Sequence, residues 1–253
     1  MKNVLAIAKN TFRETIRDRI LYSILIFGML FIISTIFLGS ISLGEDLKII
    51  RDLGLAGIYI FGLIITIFLG TSLIYKEIEG RTLYIVFSKP VGAAQYILGK
   101  FLGLFTSVVL TILIMSVLYL AIVAAKGGGF DYFGLAAIGM QILELAVFIA
   151  LSILFSTFST PLASTLYAIL LLFIGHSLPM ILKYALKSSV LFKYFAYAIY
   201  YILPNLEKFN LRNIAVHGIL PNGLAVFSAV AYGVVYTIII LAIANYSLSK
   251  QEV

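Results

Sequence analysis

Cysteine is absent from the 253 residues and histidine occurs only twice. The first absence excludes disulfides, thiolate metal sites and cysteine catalysis, and two histidines argue against a protein-only zinc site. Charge is scarce as well. Charged residues make up 11% of the chain and apolar ones 62%, where a soluble domain carries about 25% and about 45–50%. This is the composition of an integral membrane protein. The net charge of +7 has the sign that nucleic acid attracts, but in so apolar a chain the lysines and arginines are better read as anchors at the membrane surface. No nucleic-acid partner is expected.

Six runs are long enough to cross a hydrocarbon core of about 30 Å, which takes about 20 helical residues. They are Ile20 to Leu43, Leu53 to Tyr75, Phe101 to Ala125, Phe133 to Phe158, Pro161 to Leu182 and Leu224 to Leu248. The expectation is an all-α polytopic membrane protein, a single transmembrane domain over residues 1–253. An even count puts both termini on one side. In the first half, Lys2, Lys9, Arg13, Arg17, Arg19, Lys76, Arg81, Lys89 and Lys100 outweigh Lys48, Arg51 and Lys126 opposite them, so both termini and the second-to-third loop are expected in the cytoplasm, at a cell membrane. The second half disagrees, since Lys183, Lys187, Lys193, Lys208 and Arg212 then fall outside. A competing span over Val190 to Leu203 is too short and contains Lys193, which suits an interfacial or re-entrant element.

Residues 1–19 do not resemble a cleavable signal, because they carry Glu14 and Asp18 and the apolar run after them is too long. Leu5, Ala8, Phe12 and Ile16 recur at helical spacing while Lys9, Arg13 and Arg17 line another face. This pattern predicts an interfacial helix with its apolar side in lipid and its cations at the phosphates. The alternative is a short cytoplasmic helix packed on its own protein.

Between the second and third runs lies the polar stretch Lys76 to Lys100. Glu77 and Glu79 precede Gly80, a residue that readily ends a helix in the left-handed conformation, and Ser88-Lys89-Pro90 breaks the chain again. The piece between, Arg81 to Phe87, is long enough for about two helical turns. Leu83, Ile85, Val86 and Phe87 are costly to leave in water, so the stretch reads as a docking surface for a soluble partner. It is not a nucleotide site. A phosphate-binding loop ending at Gly99-Lys100 needs glycine where Ala94 stands and a hydroxyl where Phe101 stands. Gly127 to Gly129 read as a flexible turn. The chain is therefore not expected to hydrolyse ATP or to act as an enzyme.

Glu144 falls near mid-membrane, where an ionised acid costs about 2.5–3.5 kcal/mol. It must be neutral, paired or facing water. One reading is a pathway-lining acid or proton site; the other is a structural bond to a hydroxyl of a neighbouring helix, with Thr106, Ser107, Thr111 and Ser116 available in the third run. His176 and His217 have no acid at helical spacing and read as structural. No positioned base supports a serine hydrolase. Residues 183–223 contain Ile202-Leu203-Pro204-Asn205 and again Ile219-Leu220-Pro221-Asn222, each proline interrupting helix. With Tyr194, Phe195, Tyr197, Tyr200 and Tyr201 nearby, they predict an outer cap of interfacial or re-entrant half-helices, or else an ordinary aromatic belt.

The amphipathic start with Asn10-Thr11-Phe12-Arg13-Glu14 and Arg17-Asp18-Arg19, the six spans, and the strings Glu77-x-Glu79-Gly80-x-Thr82-Leu83, Ser88-Lys89-Pro90-Val91 and Gly99-Lys100 resemble the permease subunits of ABC type-2 transporters. The likeness covers the whole chain. Within that family it is nearest to the group containing the copper-processing permease of nitrous-oxide reductase maturation. The resemblance implies an ATP-driven exporter subunit with an elbow helix (Lys9, Phe12, Arg13, Arg17), a second permease copy and surrounding lipid. It also implies a coupling segment seated on a separate ATPase subunit (Glu77, Glu79, Gly80, Thr82, Leu83, Phe87, Ser88, Pro90, Gly99, Lys100), and outer gating elements near Pro204, Asn205, Pro221 and Asn222, with Glu144 as a pathway candidate. ATP and magnesium would sit on the partner, with no cofactor or metal in this chain. Two other readings stay open: a non-transporting scaffold or sensor, and a secondary transporter, which usually shows paired broken helices although the first four runs here lack proline. Replacing Leu83 and Phe87 with aspartate is expected to abolish co-purification of the ATPase partner while leaving the chain itself folded; retention of partner with full stimulation of hydrolysis would contradict the docking assignment.

Overall fold

A computed structural model describes residues 2–42, 44–80, 91–187 and 189–250. The proposed coupling residues Thr82, Leu83, Phe87, Ser88 and Pro90 lie outside the described residues. Helix α1 (Lys2–Arg17) leads into α2 (Arg19–Ser40), α3 (Asp46–Leu73), the short α4 (Tyr75–Glu79), α5 (Ala93–Ala125), α6 (Tyr132–Phe158) and α7 (Pro161–Ala185). Then come α8 (Val190–Ile202), a 3-10 turn η1 (Leu206–Phe209), α9 (Arg212–Val216) and α10 (Gly223–Ser249). Six of these are long and apolar enough to cross a membrane. The protein is an all-α, multi-pass membrane protein.

Local chemistry sets the helix starts. Asp18 Oδ1 accepts from the Ile20 N–H at 2.9 Å, Asp131 Oδ1 from Gly134 at 3.1 Å, and Asn222 Oδ1 from Leu224 at 3.1 Å, each filling one of the amide donors that a helix leaves open. Thr160 caps α7, and Pro161 sits in its first turn, where it sacrifices no hydrogen bond. Gly127 and Gly129 adopt positive φ in the turn between α5 and α6, as expected of that run. Gly80 does not: it ends α4 at φ −75°, in ordinary right-handed space, with its N–H turned back to α4 carbonyls.

The bundle is built around α3 and α6, which bury most of their length, while α2, α7 and α10 stay largely exposed. Small residues make this centre possible. Gly54, Gly57, Gly62 and Gly70 on α3 meet Tyr119, Phe31, Leu145 and Ser152 so closely that a Cβ would come to 3.0 Å or less. Such close approach is what holds helices together where lipid is as apolar as leucine. The exposed Phe27, Phe37, Leu162, Phe173 and Phe227 form the surface that hydrocarbon would cover at no cost.

Two expectations about boundaries change. α5 begins at Ala93, about two turns before Phe101, because Tyr96 and Ile97 are buried there and Lys100 finds an acid partner. Gly99 and Lys100 are thus helix, not loop. α1 packs along this extension: a Cβ on Gly99 would meet Ile7 at 2.7 Å, and one on Gly103 the Ala8 carbonyl at 2.6 Å. The face turned inward is Ile7, Ala8, Thr11 and Thr15, with Thr11 and Thr15 buried. Leu5, 65% exposed, lies to one side, and Lys9, Arg13 and Arg17 face outward. The inward face is thus that of a helix packed on its own protein, the second of the two alternatives.

At the opposite end, residues 203–216 fold back into the bundle. Leu206 and Phe209 are fully buried, and Pro204 and Leu206 sit against Gly175 of α7, where a Cβ would come within 2.8 Å of the Pro204 carbonyl and 2.6 Å of Leu206. The cap is re-entrant here, and α8 lies outside it with Leu191, Phe195 and Tyr201 exposed. Three tyrosines tie the cap down: the Tyr236 hydroxyl donates to the Ile202 carbonyl at 2.8 Å, Asn205 N donates to the Tyr232 hydroxyl at 2.9 Å, and Asn205 Nδ2 to the Tyr200 hydroxyl at 3.0 Å. Gly175→Val is expected to push this cap outward, at a cost of about 1–3 kcal/mol for an overpacked contact. The check is a Leu206→Cys reporter in a chain without other cysteines, buried from thiol reagents in the parent and labelled in the Gly175→Val background.

Candidate functional site

Among the described residues, one polar cluster interrupts the apolar bundle at mid-span and another lies at the end carrying the termini. The first is centred on Glu144, 2% exposed and halfway along α6. Its Oε1 accepts a hydrogen bond from the Tyr59 hydroxyl of α3 at 2.6 Å and lies 3.0 Å from His176 Nε2 of α7. The other ring nitrogen, His176 Nδ1, is 3.1 Å from Glu207 Oε2 of η1, and Glu207 Oε1 accepts from Asn210 Nδ2 at 3.0 Å. Four elements thus meet through one imidazole held between two carboxyl groups. Nε2 also lies 3.1 Å from the Tyr59 hydroxyl.

A cavity of about 180 Å³ adjoins this cluster, lined by Tyr59, Gln141, Glu144, His176, Phe209 and Arg212 among others. Asn210 and Arg212 also line a wider vestibule of about 680 Å³ at the cap end, with Glu45, Lys48, Asp52 and His217. Arg212 Nε pairs with Asp52 Oδ1 at 3.1 Å. This ion pair joins the cap to the start of α3 and stands where vestibule and cavity share their walls. The vestibule is lined by charged side chains, and the cavity beside it by a buried acid.

The second cluster is centred on Lys100, also 2% exposed. Its ammonium contacts the Glu77 carboxylate of α4 and lies 3.9 Å from Glu14 of α1, while the Tyr96 hydroxyl donates to Glu77 Oε2 at 2.5 Å. An ammonium at such a site is tolerable only because an acid meets it. The pair clamps α1, α4 and α5 into one unit at the base of the stretch leading into residues 81–92.

The residues singled out from sequence divide accordingly. Glu144 is at the centre of the mid-span cluster, facing a helix interface and not lipid. Its partners are not the third-run hydroxyls, since Thr106, Ser107, Thr111 and Ser116 each bond to a carbonyl of their own helix. His176, read as lacking an acid, has two, supplied by α6 and η1. Asn205 and Pro204 are buried in the cap anchor, whereas Asn222 caps α10 at an exposed position and Pro221 is half-buried; neither lines the cavities. The two copies of the Ile-Leu-Pro-Asn string thus play different parts. Glu77, Gly99 and Lys100 meet other parts of this chain, with Gly99 under Ile7 and Lys100 enclosed, while Glu79 and Gly80 are exposed. Lys9, Arg13 and Arg17 are exposed and Phe12 half-buried. Tyr59, Glu207, Asn210, Asp52 and the site role of Arg212 were not foreseen. The one available signal was polar residues inside or beside apolar runs.

Residues 5–253 match the family described as ABC-2 family transporter protein. No curated protein matches the chain.

The Lys100 cluster predicts an asymmetric cost. Glu77→Gln strands an enclosed ammonium, leaving Glu14 at 3.9 Å, which costs about 3–5 kcal/mol. Lys100→Met leaves Glu77, whose side chain is 21% exposed, with the Tyr96 hydroxyl, and costs less. Thermal unfolding in detergent is expected to rank the parent above Lys100→Met, and Lys100→Met above Glu77→Gln.

Proposed function

The chain belongs to the ABC-2 family of transporter proteins, and from that premise we propose that it is the membrane subunit of an ATP-driven exporter, coupled through residues 76–92 to a separate ATPase subunit. In this reading two copies pair around the pathway, and the end bearing the termini faces the cytoplasm of a cell with the chain in its cell membrane. ATP and magnesium belong to the partner. Kinship to the copper-processing permeases rests on the strings between Glu77 and Lys100 alone.

The observation that carries the coupling is the Lys100 cluster. A push on the segment after α4 reaches Glu77, which is tied to Lys100 and Tyr96 of α5 and, through Lys100, to Glu14 of α1. It also reaches α3 directly, because α4 continues α3 with only Ile74 between them. α3 carries Tyr59 at its middle and Asp52 near its far end, so one helix links the partner's seat, the buried acid and the ion pair at the cap. Tilting it would loosen Tyr59 from Glu144 and Asp52 from Arg212 together. Glu144 and the cavity would then open to the vestibule.

The test is reconstitution. The chain co-expressed with an ABC ATPase subunit is expected to form a stable complex whose hydrolysis rate in proteoliposomes exceeds that of the ATPase alone. The Asp52→Ala, Arg212→Ala double variant is expected to keep ATPase assembly while changing the coupling between hydrolysis and transport. A chain that recruits no ATPase would contradict the proposal.

A further inference from the structure

Gln141 and Glu144, both in the wall of the cavity, each keep one acceptor without a partner among the described residues. Gln141 is 6% exposed and its Nε2 donates to the Leu55 carbonyl at 3.2 Å. Because that carbonyl can only accept, the amide orientation is fixed and Oε1 is the atom left over. It is buried and has no partner among the described residues. The second acceptor is Glu144 Oε2, since both hydrogen bonds made by this carboxyl use Oε1. A buried amide oxygen with nothing to accept from costs free energy unless a ligand or water supplies a donor.

Charge points to the kind of donor. The Glu144–His176 and His176–Glu207 contacts at 3.0 and 3.1 Å each hold one bridging proton, wherever it sits. With those two protons and no third on Glu144 Oε2, two carboxylates and one imidazole would carry a net charge of −1. Among the described residues, the two cations on the cap are engaged elsewhere: Arg212 is paired with Asp52 at 3.1 Å, and the Lys208 ammonium lies over the Tyr232 ring at 4.1 Å. An uncompensated negative charge at mid-span attracts a cationic guest. A hard divalent cation asks for six or more oxygens, and only two stand unfilled. The walls also include the rings of Tyr59 and Phe209, which suit the carbon skeleton of an organic cation and can face its charge.

We propose that this cavity is the cargo site of the transporter, a cargo role that rests on the function proposed above, and that it takes a small protonated primary amine, with the ammonium between Glu144 Oε2 and Gln141 Oε1 and the alkyl portion against Tyr59 and Phe209. About 180 Å³ accommodates about six water-sized groups, so the cargo is a compact monoamine and not a lipid or peptide. The route outward runs past the Asp52–Arg212 pair into the vestibule at the cap end.

The test measures binding and needs no ATPase, so its failure leaves the coupling proposal standing and failure of coupling leaves the site standing. Radiolabelled n-propylammonium is titrated onto the full chain in lipid nanodiscs, with sodium and tetramethylammonium chloride at equal ionic strength as competitors. Saturable binding is expected that neither competitor displaces, sodium lacking the alkyl body and tetramethylammonium the N–H donors. Gln141→Leu should weaken it about tenfold, the worth of one buried hydrogen bond to a charged group, and Glu144→Gln should abolish it. Should Glu144→Gln fail to fold, the uncharged change at Gln141 and the competition in the parent chain still decide. No saturable binding, equal displacement by sodium, or parent-like binding by Gln141→Leu would each overturn the assignment.

Discussion

A carboxyl group buried at the middle of an apolar bundle needs partners, and Glu144 draws them from other elements. Tyr59 reaches it from α3 at 2.6 Å and His176 from α7 at 3.0 Å. The imidazole then has a second nitrogen to satisfy, and Glu207, its side chain 43% exposed, reaches it at 3.1 Å as η1 folds back against the bundle. That descent needs room, which Gly175 on α7 gives to Pro204 and Leu206, and Gly233 on α10 to Phe209. The re-entrant cap is therefore more than a covering for an apolar core. Its depth follows from a chain of polar obligations that begins at one acid.

Physical reasons separate what the sequence made legible from what it did not. Span number, the amphipathic first helix, the turn at Gly127–Gly129 and the interrupted segment after residue 185 come from hydropathy and from proline and glycine, all local signals. Glu144 stood out because an acid in an apolar run is anomalous by itself. His176 did not, since its acids arrive from residues 144 and 207 and no spacing rule looks that far. Lys100 was misplaced for the same reason. As a cation after a loop it reads as surface, but Glu77 and Glu14 close over it, and α5 runs on as helix through it. Asn205 and Asn222 show the limit from the other side, because identical four-residue strings become a buried anchor and an exposed helix cap.

The two polar clusters resemble each other in design and differ in consequence. Around Lys100, the ammonium meets the Glu77 carboxylate, with Glu14 close by and the Tyr96 hydroxyl on Glu77, so charge is matched and the elements are locked. Around Glu144 two carboxyl groups share one imidazole, and Gln141 Oε1 remains open beside a cavity. A matched cluster is a joint that transmits force; an unmatched one has affinity to spare for a guest. Because α3 with its continuation α4 supplies Glu77 to the first cluster and Tyr59 to the second, a movement that the joint passes on must alter the guest site. The Asp52–Arg212 pair lies farther along the same helix, between cavity and vestibule. A single tilt of α3 would therefore change affinity and access in one step, which is what a transporter driven from one end requires of its central helix.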